Sequence, residues 1–258
     1  MTRRGQFERD GYVTLPGFFG PDAIAAFRRS LDAASPRDRS PHRLDRDGMR
    51  FSSNLFRSSG DVAEFVTQRR IAGLLRALVG HDLWVRWDQR VIKGPGGPAF
   101  PWHQDNAYNH LPFAHVQLWV ALTDMDDAHG GLWVDPGSHR RGRRRHRRQG
   151  NQVVARHGPH QPVSIAADAG DVVVFSSLLL HHTTPNTTTA VRDAYVVEYL
   201  ARACDDPLVD APYLLLNDGG PTAAWAGRGV IRPPWHRRIR TAPLLARRMV
   251  RRLVSGMR

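Results

Sequence analysis

The chain has 258 residues, 41% hydrophobic and 24% charged, a composition ordinary for a globular protein and enough for one β-rich domain with a sizeable core. No run of ~18 apolar residues occurs, which excludes a helical membrane span. Cys204 stands alone, which excludes an intrachain disulfide and fits a reducing cytoplasm, the expected location. The start, Met1-Thr2-Arg3-Arg4-Gly5-Gln6, lacks the apolar core of a signal peptide.

Along the chain, Pro21 to Ala34 reads as a helix, with Ile24, Phe27 and Leu31 at three- and four-residue spacing. Ser35 to Gly48 is polar, charged and proline-bearing, a loop and a candidate flap over a site. Asp61 to Val79 holds one or two helices, with Val62, Phe65, Val66, Ile71, Leu74, Leu75 and Leu78 on the inner face. From Leu83 the pattern changes to strands: Leu83–Lys93, Val116–Thr123, Leu132–Val134, Val163–Ile165, Val172–Phe175 and Ala194–Leu200. Pro243 to Arg258 sets Leu244, Leu245, Met249, Val250, Leu253 and Val254 against four arginines. That pattern is a basic amphipathic helix, expected to pack on the core or on a partner subunit rather than on a membrane.

Helices first and many short strands after predict a mainly β protein with flanking helices. The architecture expected is a double-stranded β-helix (a cupin-like jelly roll) with the N-terminal helices packed on the sheet. It forms one domain over residues 1–258: a helical bracing region to residue 82, a core over 83–202 and an extension over 203–258.

The chemistry concentrates in Trp102-His103-Gln104-Asp105 and, far downstream, His181-His182 and Arg192. In a strand, residues two apart share a face, so His103 and Asp105 can grip one metal while Gln104 faces away. A third ligand from the second histidine pair completes a 2-His-1-carboxylate set, the arrangement of non-haem Fe(II) oxygenases. Alternation lets only one of His181 and His182 serve. The ten residues between His181 and Arg192 favour His181, since they let a strand end, turn and return with its guanidinium aimed at a carboxylate beside the metal. His182 then lies on the substrate side.

Several stretches together resemble the phytanoyl-CoA dioxygenase family of Fe(II)- and 2-oxoglutarate-dependent oxygenases. Phe7-Glu8-Arg9-Asp10-Gly11-Tyr12-Val13 is similar to the family's entry into its first strand, and Phe18 to Asp22 to its turn into the first helix. Trp102 to Asn106, Gln117 to Asp124, the specific Gly130 to His139 stretch ending Pro-Gly-Ser-His, and Gly170 to Arg192 match its later motifs. The resemblance implies that His103, Asp105 and His181 hold iron. It also implies that Arg192 pairs with the distal carboxylate of 2-oxoglutarate, a contact suited to a planar fork of donors. It further places Gln89, Thr183 and Trp119 against that cosubstrate. Ala194 departs from the serine that many such enzymes carry two residues after the arginine. Asp105 fills the position that related iron halogenases leave small, so the resemblance implies oxidation of a C–H bond with O2 rather than halogenation.

The substrate expected is a small molecule, with Asn106, Tyr108, Trp133 and His182 as its candidate contacts. The resemblance is to bacterial natural-product tailoring members, some of which act on sugars in antibiotic biosynthesis. The tract Arg140 to Arg148 contains seven arginines and reads first as a solvated loop. An anionic-ligand site is the next reading, and nucleic acid is not expected because no aromatic residue interleaves with it. A catalytically silent jelly-roll binding protein, or an oxygenase recruited to nucleic acid, are the alternatives from other classes. Nothing in the sequence sets the oligomeric state.

Overall fold

The structure, a computed structural model, describes residues 1–35, 48–80, 82–150, 152–204, 206, 209, 213–216 and 224–225. The expected flap over residues 36–47 and the expected C-terminal helix lie outside the described residues.

The chain opens with α1 (Arg3–Asp10), capped by the Thr2 hydroxyl, which accepts from Gly5 N. The expected first strand therefore begins later than Phe7, as β1 (Tyr12–Leu15). Gly11 separates the two at φ 83°, and a Cβ there would lie 2.4 Å from His139 Nδ1. Only glycine combines that backbone with that approach. The Pro-Gly-Ser-His stretch thus packs on the end of α1, where Gly137 N also donates to Asp10 O at 2.8 Å.

Next come α2 (Pro21–Ala34), β2 (Met49–Ser53), α3 (Gly60–Thr67) and α4 (Arg69–Val79). The apolar spacing in α2 buries Ile24, Phe27 and Leu31. The core then runs β3 (Leu83–Lys93), β4 (Phe100–His103), the one-turn α5 (Asn106–Asn109), β5 (Val116–Ala121) and β6 (Leu132–Asp135). It continues as β7 (His146–Gln149), β8 (Gln152–Ala155), β9 (Val163–Ile165), β10 (Val172–Ser176), β11 (Leu180–Thr183) and β12 (Arg192–Ala201), with short β13 (Tyr213–Leu215) and β14 (Ala224–Trp225) after it.

Among the described residues, an eight-stranded sheet runs β1-β10-β5-β12-β3-β13-β14, with β2 also on β3, and a four-stranded sheet runs β4-β11-β6-β9. Every pairing is antiparallel. Alternation gives the large sheet two distinct faces. Tyr195, Val197, Tyr199, Leu118, Val120, Val172 and Val174 pack outward with Phe27, Leu31, Val62, Val66, Ile71 and Leu75 from the helices. Trp119, Ala121, Val173, Phe175 and Ala194 pack inward with Leu132 and Val134 of the small sheet and with Leu179 just before β11. This is the expected double-stranded β-helix braced by N-terminal helices.

The arginine tract is mostly exposed, as expected, but it is not simply a loop. Ser138–Arg141 forms a 3-10 turn and His146–Gln149 is a strand, paired with β8 in a hairpin whose second strand packs on β4. No described helix is long and apolar enough to cross a membrane.

Candidate active site

His103 ends β4 and stands opposite His181 of β11, so both rings project from one face, with centroids 4.2 Å apart. Asp105 reaches the same point by a different route from the one expected. The strand stops at His103, and Asp105 adopts helical angles (φ −60°, ψ −36°) as α5 begins. The turn of the chain, not the pleat of one strand, brings its carboxylate back. Oδ1 lies 3.4 Å from His103 Nε2 and 3.7 Å from His181 Nε2, and the three donor atoms lie within 4.8 Å of one another.

Both imidazoles are held the same way. His103 Nδ1 lies 2.8 Å from Pro101 O and His181 Nδ1 lies 3.0 Å from Leu179 O. A ring that donates from Nδ1 presents the lone pair of Nε2, the tautomer a metal requires. Burial, with the nearby His103, lowers the His181 pKa to about 4, so its ring is neutral at pH 7. Burial pushes Asp105 upward, but His181 and His103 outweigh it and hold its carboxyl below the ordinary range. Gln104 faces away as expected. Fully buried, it accepts from Arg144 N and donates to Gly142 O and Leu178 O.

A second cluster lies on the interior face of the large sheet. Arg192, 2% exposed, stands opposite Lys93 across β12 and β3. Its Nε has no hydrogen-bond partner, and burial lowers its pKa to about 10. Lys93 Nζ donates to Thr183 Oγ1 at 2.9 Å and to Thr184 O. Burial, followed by the Arg192 charge, lowers the lysine to about 7. Among the described residues, the carboxylate next to the pair is Asp193, which alternation turns outward to Arg90. Two buried cations facing inward with an open donor are chemically suited to a carboxylate ligand. Gln89 and Trp119 flank Val196 in register on the same face, and Gln89 donates to Ser53 Oγ at 2.9 Å.

The expected substrate contacts divide. Tyr108 is 37% exposed, its ring 5.7 Å from that of His103 and its hydroxyl accepting from Val153 N. Asn106 is buried, and its amide donates to Leu111 O and Phe113 O, so it closes the loop after α5 rather than facing a cavity. Trp133 and His182 are partners across β6 and β11, one residue out of phase with His181, and therefore project from the opposite face of the small sheet. There His182 stacks on Trp102 at 4.2 Å.

Lys93 was not singled out from the sequence, although its position four residues after Gln89 on one strand puts both on one face. Glu198 was also missed. At even spacing from Arg192 it faces inward, where it pairs with Arg86 and accepts from Gln117 at 3.1 Å and Asn109 at 3.3 Å. Burial pushes Glu198 upward, but Arg86 and His115 overcome it and lower its pKa to about 2. Through Asn109 it anchors α5, the turn that presents Asp105. An acid within an apolar strand was the available signal.

The sequence model of the phytanoyl-CoA dioxygenase (PhyH) family matches residues 7–194. The chain belongs to the phytanoyl-CoA dioxygenase family. The ectoine dioxygenase of Nocardia farcinica is 34% identical over 148 residues, 52% of this chain and 49% of that protein. The chain spans about half the length of such curated relatives. The same fold is found in EvdO2 of Micromonospora carbonacea var. aurantiaca complexed with 2-oxoglutarate, at TM-score 0.65 and 22% identity over 80% of this chain and 94% of that one. It is found again in SnoK, a non-heme alpha-ketoglutarate-dependent carbocyclase from nogalamycin biosynthesis, at TM-score 0.64 and 19% identity over 88% and 93% of the two chains.

Proposed function

We propose that this family member is an Fe(II)- and 2-oxoglutarate-dependent dioxygenase that oxidises a C–H bond of a small molecule. The observation that carries the reading is the convergence of His103, Asp105 and His181, both imidazoles offering Nε2, within a fold whose interior also holds the Arg192–Lys93 pair. The donor set, two neutral nitrogens and one carboxylate, fits a divalent iron and leaves coordination positions for a chelating oxoacid. Iron(II) held there would supply the site at which 2-oxoglutarate and dioxygen yield succinate, carbon dioxide and an oxidant for the substrate.

The chain's own residues do the rest. His103, Asp105 and His181 fix the metal. Arg192 and Lys93 neutralise the distal carboxylate of 2-oxoglutarate, with Thr183 orienting the lysine. Gln89 and Trp119 line the cosubstrate's side of the interior. The buried Phe175 and Leu179 keep water from the metal side.

A bacterial secondary metabolite is the proposed substrate class, supported by the natural-product pathway that SnoK belongs to. Tyr108 is the side chain best placed to meet it. The reading treats residues 1–258 as one catalytic unit. A cytoplasmic setting agrees with the single buried Cys204.

Substrate-free turnover tests the activity. Purified protein supplied with Fe(II), 2-oxoglutarate and oxygen should form succinate slowly, and Asp105→Ala should abolish it. Equal succinate from wild type and variant would refute the assignment.

A further inference from the structure

Outside the proposed metal centre, the turn before β7 and the loop after β8 enclose a cleft of about 500 Å³. Its lining includes Arg141, Arg143, Arg144, Arg145, His157 and His160, with no carboxylate among the described residues. A second hollow of about 530 Å³ adjoins it, sharing Arg141 and His160. The acid in that hollow is Asp135, which is 1% exposed and already accepts from His160 N and Gln161 N, both at 3.0 Å. It also lies 3.9 Å from the Arg144 guanidinium, so it offsets that one charge and leaves the exposed Arg141 and Arg145 to a ligand.

The arginines stand on an ordered frame. The buried Gln104 side chain accepts from Arg144 N at 2.8 Å and donates to Gly142 O at 3.0 Å. Gln104 N in turn approaches His146 Nε2 at 3.3 Å. Arg144 donates to Gly158 O at 3.2 Å, joining the two walls. Positive charge concentrated on a pre-formed frame lowers the ordering cost of binding an anion. Guanidinium forks match phosphate oxygens in pairs.

We propose that this cleft binds a small phosphate-bearing ligand, separately from the 2-oxoglutarate site. A volume of about 500 Å³ admits one phosphorylated small molecule.

The test is calorimetric titration of the full chain, free of iron and 2-oxoglutarate, with inorganic pyrophosphate. Saturable binding at one site is expected, weakened about tenfold or more in the double variant Arg141→Gln/Arg145→Gln and retained in Arg192→Gln. Both arginines are exposed, and an unchanged melting temperature confirms that the double variant is folded. Absence of saturation, indifference to the double variant, or loss of binding in Arg192→Gln overturns the proposal. ADP binding more tightly than pyrophosphate upholds it and identifies a phosphorylated organic ligand, while equal affinity upholds it for the free phosphoanion. A single-stranded DNA whose affinity exceeds both and grows with length overturns it in favour of a nucleic-acid surface. Because no iron is present, the outcome is independent of whether the oxygenase reading stands.

Discussion

Lys93 and Arg192 occupy the same rung of the β3–β12 ladder, so two buried cations project side by side into the barrel. Such a pair is costly without an anion: burial lowers the pKa of both groups, and the Arg192 charge lowers that of Lys93 further. Replacing Arg192 with Gln should weaken 2-oxoglutarate binding by roughly tenfold to a hundredfold, the range for a charge-assisted contact. Titration of the iron-loaded protein measures it, and an unchanged affinity would remove Arg192 from the cosubstrate site.

The lysine adds a pH dependence. Its pKa is lowered to about 7, so the ammonium is present below that value and lost above it. A carboxylate ligand favours the ammonium, so 2-oxoglutarate affinity should decline as pH rises through and beyond 7. Lys93→Met should bind more weakly below pH 7 and show a flatter profile. A wild-type affinity that rises with pH would contradict the role.

Glu198 makes a buried ion pair with Arg86 and holds Asn109 of α5. Its carboxyl sits low, near 2 against an ordinary 4.5, so its stabilisation is complete above the ordinary value and disappears as pH falls toward 2. Glu198→Ala should lower stability by about 1–3 kcal/mol at neutral pH, because Arg86 loses one of its two buried carboxylate partners and keeps Asp206. Denaturant unfolding tests this, and a loss below about 1 kcal/mol would show that water already relieves the pair.

Packing between helix and sheet rests on Phe27, which is 3% exposed, stacks on Phe65 at 3.4 Å and meets Tyr195 edge-on at 5.0 Å. Phe27→Ala should cost about 3–5 kcal/mol in the same assay while leaving the metal residues in place. A neutral result would mean that α2 braces the sheet less than its burial indicates.

The sequence carried the helix-then-strand order because α2, α3 and α4 each repeat apolar residues at helical spacing and β5 and β10 are short, mostly apolar runs. It carried the convergence of His103, Asp105 and His181, since two histidines and an aspartate at those spacings have few other uses. The route by which Asp105 arrives was not legible, because a strand that ends after His103 and one that continues look alike over three residues. Leu178 to Leu180 follow closely on the apolar run Val172–Phe175 in sequence, yet β11 is a separate strand in the other sheet. That crossover is a tertiary choice with no local signature. The face from which Trp133 and His182 project was not legible for a related reason: large half-buried rings suit either face of a sheet, and only the register with His181 separates them.

The faces of β11 supply the most direct test of the central claim. Anaerobic Fe(II) with 2-oxoglutarate should give a weak visible charge-transfer band in the wild type. His103→Ala and His181→Ala should abolish it, and His182→Ala, altered on the opposite face, should keep it. A band that survives His181→Ala but disappears in His182→Ala, or no band from folded, iron-supplied protein, would contradict the account.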